Sequence, residues 1–199
     1  MTDPAAAPLL PSPNGKQVVT FSTLEDWRAW LEANADQSDG VWVVYGKKSS
    51  GLPGPLYEDL VEEALCFGWI DSVNRPGDED RRLQWFSPRR KGSIWSARNK
   101  GRIERLIAEG RMTARGLAVI EAAKADGSWT QFDDAEALVV HPDLQAALDS
   151  DPAVADAWES LPPSQKKQDL WSVYSAKRAE TRASRIEKLI SRLAESSQE

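Results

Sequence analysis

Apolar positions along the chain follow two periods. Trp27, Trp30 and Leu31 fall at i, i+3 and i+4, the buried stripe of a helix. Ser22 or Thr23 caps that helix, and Glu25 and Asp26 occupy its first turn, where the helix dipole favours acids. Residues 41–45, Val-Trp-Val-Val-Tyr, are a short β-rich run and predict a strand. A Gly/Pro/Ser loop with Lys47 and Lys48 follows. Residues 57–67 return to helical spacing, with Leu60, Val61, Ala64 and Leu65 on one face and Glu58, Asp59, Glu62 and Glu63 largely on the other. Gly68 ends this helix. Two strands, 69–73 and 82–86, flank a polar turn at 74–80, and Pro88 stops the second. Helices are then predicted from Ser93 or Ser96 to about residue 109, closed by Gly110, and over 113–125. Short helices follow Pro142 and Pro152, and another runs from Pro163 through Leu170, Trp171 and Tyr174. The last covers 180–194, with Ile186, Leu189, Ile190 and Leu193 facing inward.

Strands followed by helices predict an α+β fold: a small antiparallel sheet packed by helices, then a C-terminal helical subdomain. The expected organisation is a disordered tail at 1–17, rich in Pro, Ala and Ser, and an α+β core at 18–130. An acidic linker with short helices at 131–162 and a helical subdomain at 163–199 complete it.

Charge changes this picture. The chain carries a net −6, yet residues 81–115 hold eleven Lys/Arg against Glu104 and Glu109, a local +9. An acidic protein that gathers its cations beside Trp85, Phe86 and Trp95 is expected to present an anion-facing surface there. From 116 to 165 the balance reverses, with ten acidic residues against Lys124 alone. A single cysteine, Cys66, excludes an internal disulfide and a cysteine cluster for zinc. A single histidine, His141, excludes a His-rich metal site. Neither a signal-peptide pattern nor a membrane-span-length apolar run occurs, so a cytoplasmic location is expected. With no Walker, Rossmann or metal motif, no cofactor and no metal are expected.

Several motifs occur together in order. They are the Gly46-Lys-Lys loop, Ala64-Leu-Cys-Phe-Gly-Trp-Ile-Asp71, Phe86-Ser-Pro-Arg-Arg90 and Ser93-Ile-Trp-Ser96 with Asn99. Gly110-Arg-Met-Thr113 and Ala176-Lys-Arg-Ala-Glu-Thr-Arg182 with Arg185-Ile186 complete the set. Over roughly residues 20–195 they make the chain resemble the YdeI/OmpD-associated, bacteriocin-protection family. The resemblance implies a link to antimicrobial-peptide and stress resistance in bacteria, with no agreed reaction or ligand.

The candidate ligand-binding residues are Lys47, Asp71, Arg89, Arg90, Ser93, Trp95, Asn99, Lys177 and Arg182. A Pro-Arg-Arg loop entering a helix offers guanidinium forks beside backbone N–H groups, suited to a phosphate or carboxylate. The competing reading pairs Arg89 or Arg90 internally with Asp71 or Glu62 and makes the serines ordinary caps. Asp71, after the apolar Trp69-Ile70, is a candidate acid/base or an orienting partner for an arginine. Trp85, Phe86 and Trp95 would stack a ligand or pack the core, and alternation allows only one of Trp85 and Phe86 to face outward. Lys177 and Arg182 either complete the anion site or pair with the acidic stretch.

These residues and the resemblance lead to an expected non-enzymatic, cytoplasmic binding protein linked to stress or bacteriocin resistance. Its partner would be an anionic small molecule or the anionic group of a macromolecule. Three alternatives stand beside this one. The first is an enzyme acting on a small phosphorylated or carboxylated metabolite through Asp71. The second is nucleic-acid binding through residues 81–115. The third is capture of a cationic peptide by the acidic insert.

Overall fold

In a computed structural model of the chain, residues 10–196 are described. They fold as two units. The first runs to Ser93 and includes Asn99–Ala125, and the second takes Ile94–Arg98 and the chain from Asp126 onward.

The first unit is built on a four-stranded sheet of β1 (Val18–Thr20), β2 (Val41–Gly46), β3 (Trp69–Pro76) and β4 (Arg81–Pro88), in the order β1-β2-β4-β3. The β3–β4 pair is antiparallel, as the hairpin pattern predicts, and β4 also pairs antiparallel with β2. The sheet is mixed, because β1 adds to β2 in parallel. Three residues, Val-Val-Thr, are too few to show alternation. Residues 10–17, expected as tail, supply Leu10 to the cluster of Trp42, Val44 and Leu83 and Asn14 as acceptor for the Trp42 indole N–H at 2.9 Å. Residues 1–9 lie outside the described residues.

The other face of the sheet carries Val41, Val43 and Phe86, all fully buried. It is covered by α1 (Leu24–Asn34) and α2 (Tyr57–Cys66). Thr23 caps α1 reciprocally: Asp26 N–H donates to Thr23 Oγ1 at 3.1 Å and Thr23 N–H donates to Asp26 Oδ2 at 3.0 Å. Trp27 packs on Phe86 with ring centroids 5.4 Å apart, and its indole donates to the Leu60 carbonyl at 3.0 Å. Phe86 is therefore core, and Trp85 lies on the opposite face against Trp42 at 5.3 Å. Then come α3 (Ala97–Ala108), closed by Gly110 at φ 66°, and α4 (Ala114–Ala125).

The second unit comprises α5 (Asp133–Glu136), α6 (Pro142–Asp149), α7 (Pro152–Ser160), α8 (Pro163–Tyr174) and α9 (Ala179–Ser196). Residues 131–162, expected as a linker, are part of this packed unit. Leu144 and Leu148 of α6 and Val154 and Trp158 of α7, each pair four residues apart, meet Leu170 and Val173 of α8. Ile186, Leu189 and Leu193 of α9 close the same core. Asp143, Asp149, Asp156 and Glu159 of α6 and α7 turn outward, so an acidic composition coexists with helices that bury one face.

Candidate functional site

Along the helix-facing side of the sheet, apolar residues give way to polar ones. Cross-strand register places Tyr45 opposite Arg82, Gln84 opposite both Val43 and Asn74, and Asp71 opposite Phe86, so these side chains share that face. The ladder between β3 and β4 is irregular between Asp71 and Asn74, which re-aims the strand where the polar residues begin. One amide organises the cluster. Asn74 Nδ2 donates to the Tyr45 hydroxyl at 2.8 Å and to Gln84 Oε1 at 3.0 Å, while Arg82 Nη1 donates to Asn74 Oδ1 at 2.9 Å.

Tyr57, the first residue of α2, closes the cluster from above. Its ring lies 5.6 Å from that of Tyr45 at an interplanar angle of 32°, and its hydroxyl donates to Asp71 Oδ2 at 2.5 Å. Burial, reinforced by the hydrogen bond to Asp71 and that carboxylate's charge, pushes the Tyr57 phenol far above its usual range. Tyr57 is therefore a neutral donor, and one Asp71 oxygen is already engaged. Arg89 lies within range of the same carboxylate: burial pulls its guanidinium down to about 10, and the Asp71 charge opposes that shift.

Above this layer opens a groove of ≈ 560 Å³. Tyr45, Gly46 and Arg82 line it from the sheet, Lys47, Lys48 and Ser49 from the following loop, and Leu56, Tyr57 and Glu58 from the start of α2. Lys47 Nζ donates to the Glu79 carbonyl at 2.5 Å, which ties the loop to the β3–β4 turn. Lys48 is exposed. Glu58 is the carboxylate of the groove, and it is ion-paired with Arg102, whose Nη1 also donates to Asn99 Oδ1 at 2.8 Å. The helix N-cap is Leu56, which supplies no side-chain acceptor.

The structure thus distributes the residues singled out from sequence. Lys47 lines the groove. Asp71 and Arg89 lie behind Tyr57, and Asn99 accepts from Arg102, the partner of Glu58. Arg90 and Ser93 form a turn after β4, with Ser93 N–H donating to the Arg90 carbonyl at 3.0 Å. Trp95 belongs to the second unit, is 3% exposed and packs on Trp129 at 4.9 Å, so it is core rather than a ligand platform. Lys177 and Arg182 also belong to the second unit. Arg182 Nε pairs with Asp143 Oδ2 at 2.6 Å, which holds the Asp143 carboxyl below its usual range. Sequence reasoning passed over Tyr45, Tyr57, Asn74, Gln84 and Arg82 as a group. The Asn74 and Gln84 pairing lies within the β3–β4 hairpin, whereas Tyr45 opposite Arg82 depends on the pairing of two strands that are not consecutive, and Tyr57 comes from a helix.

Three arginines of residues 81–115 meet α2. Arg105 pairs with Glu62, Arg102 with Glu58, and Arg111 with Glu63 at 2.8 Å. Arg81 pairs with Asp78 at 2.6 Å, and Arg115 with Asp36 at 2.7 Å. Glu63 is 2% exposed and also binds Arg28, so a buried carboxylate sits between two guanidinium groups. Cys66, fully buried beside it, is an inert thiol, pushed up to about 11 chiefly by burial.

Two family models match this chain. Residues 137–196 match the one described as Bacteriocin-protection, YdeI or OmpD-Associated, and residues 19–119, about half of the chain, match a domain of unknown function (DUF8412). The chain belongs to the DUF8412 family and carries a YdeI/OmpD-associated domain. The resemblance expected over 20–195 is met in this second domain, which spans α6 to α9, while the groove lies wholly in the DUF8412 domain. Neither a curated protein nor a solved structure matches the chain. Among the described residues, no helix is long and apolar enough to cross a membrane.

Proposed function

We propose that this protein is a non-enzymatic, cytoplasmic binding protein, linked to bacteriocin protection and stress resistance, that holds an anionic ligand in the groove between the sheet and the start of α2. One observation carries the reading. The groove collects Lys47, Lys48 and Arg82 around a single carboxylate, Glu58, which Arg102 already neutralises. A charged ligand there gains charge-assisted hydrogen bonds without having to break an ion pair first. The absence of side-chain capping at Leu56 adds a helix N-terminus to the same wall. A binding rather than a catalytic role is supported by Asp71, whose carboxylate is held by a neutral phenol, leaving it poorly placed as a general base. The family description of the second domain supplies the biological setting.

Isothermal titration of the full chain with small carboxylates and phosphate esters tests this. Saturable binding is expected, weakened about tenfold in Lys48→Ala and again in Arg82→Ala, the size of a lost charge-assisted hydrogen bond. Binding that survives both substitutions unchanged would place the ligand elsewhere.

A further inference from the structure

Resting on that reading of the groove, we infer that its ligand is a planar aromatic ring bearing one anionic group, an aryl carboxylate or aryl phosphate, rather than a bare anion or a sugar phosphate. The argument starts with the hydroxyls. Tyr45 and Tyr57 would ordinarily offer polar tips to a ligand, but both hydroxyls already hold a hydrogen bond inside the protein. The Tyr45 hydroxyl accepts from Asn74 at 2.8 Å, and the Tyr57 hydroxyl donates to Asp71 at 2.5 Å. Both residues line the groove, and their paired rings are the part of each side chain not committed to those bonds. Leu56, 53% exposed, extends that apolar wall.

The polar complement is equally selective. A sugar needs several side-chain donors and acceptors around its hydroxyls, since each one buried without a partner costs affinity. The groove offers Ser49 and three cations, and its one carboxylate is engaged by Arg102. Three cations and two rings match an anion on an aromatic frame, where ring faces also favour guanidinium and ammonium groups nearby.

Geometry narrows the choice further. The tyrosine rings are 5.6 Å apart at 32°, too close to admit a third ring between them, so a ligand ring packs across their outer faces. Asn74 holds Tyr45 through its amide nitrogen and Arg82 through its amide oxygen, at 2.8 and 2.9 Å. A single side chain thereby sets the spacing between an aromatic wall and a guanidinium, which is preorganisation for a ligand with ring and charge at fixed separation. The volume, ≈ 560 Å³, lies in the range of sites for ring-containing small molecules and exceeds what inorganic phosphate fills.

Isothermal titration of the full chain with phenyl phosphate, benzoate, inorganic phosphate and glucose 6-phosphate, all at one ionic strength, decides the matter. Phenyl phosphate is expected to bind about tenfold or more tightly than inorganic phosphate and glucose 6-phosphate. Benzoate separates the two sources of the anion: binding near that of phenyl phosphate assigns a carboxylate-tolerant site, and much weaker binding assigns a phosphate site. Leu56→Ser, an exposed position, should weaken phenyl phosphate and leave inorganic phosphate unchanged, whereas Lys48→Ala should weaken both. If glucose 6-phosphate and inorganic phosphate bind as tightly as phenyl phosphate, the aromatic assignment is overturned while the anion site stands. If none of the four binds, the anion site falls with it.

Discussion

Asp71 sits between a phenol and a largely buried guanidinium, and both depend on its charge. Tyr57 donates to it, and its charge opposes the burial that pulls down Arg89. Asp71→Asn keeps the shape and removes the charge, so the expected outcome is a structural loss. Stability should fall by about 1–3 kcal/mol, measured as a lower urea midpoint at unchanged m-value. Tyr57→Phe should cost about 1 kcal/mol, since it removes one hydrogen bond and keeps the ring. An Asp71→Asn variant as stable as the parent would instead make the carboxylate available for chemistry. In sequence, Asp71 stood out as an acid leaving an apolar run, and Arg89 was named among its partners. Tyr57 was invisible in that role, because it lies fourteen residues upstream on a helix that must first fold back over β3.

At the level of elements, α4 reaches α2 through one glycine. A Cβ on Gly116 would lie 2.2 Å from the Cys66 carbonyl oxygen, a backbone atom with little freedom to move. That close approach lets the Thr113 hydroxyl, at the start of α4, donate to the same carbonyl at 2.7 Å, so the C-terminal end of α2 is satisfied by the next helix. Gly116→Ala would raise local helix propensity by about 1 kcal/mol but force the helices apart. The packing term is larger, and a net loss of about 1–3 kcal/mol in chemical denaturation is expected. A stabilised Gly116→Ala would show that the helices separate freely. Helix existence, spacing and termini were legible here from apolar period and glycine stops. Which helix touches which was not, because Gly116 reads in sequence as an ordinary small residue.

Over the whole molecule, the acid/base segregation of the sequence is largely an internal matter. The acids of α2 and the arginines of α3 and its sequel are far apart in the chain and adjacent in space, with Glu58, Glu62 and Glu63 facing Arg102, Arg105 and Arg111. Cations already neutralised in this way release few counterions from a polyanion. Affinity for a single-stranded oligonucleotide should therefore be weak. Its logarithm should fall against log salt with a slope shallower than about −2, as measured by fluorescence anisotropy across a salt series. A slope of about −4 or steeper would restore the basic segment as a nucleic-acid surface. The second unit follows the same logic, with Arg182 on Asp143, Arg192 on Asp169 and Lys167 on Glu136.

By itself the sequence determined the α+β class, the β3–β4 hairpin, the helix stops at Gly68 and Gly110 and the buried faces of α1, α2 and α9. It also required Trp85 and Phe86 to face opposite sides of their strand, although which of them is core was settled only by the packing of Trp27 on Phe86. All of these rest on periodicity and local backbone chemistry, which act over a few residues. Tertiary structure alone decided that residues 131–162 are part of a packed unit, that a parallel β1 completes the sheet and that the arginines of 102–111 face α2. It also decided that the groove is walled by Tyr45 and Tyr57 with Arg82, while Trp95 and Arg182 stay in the second unit. Those outcomes depend on which surfaces meet, and a charge or a ring takes its role from its neighbour across the fold rather than from its neighbours along the chain.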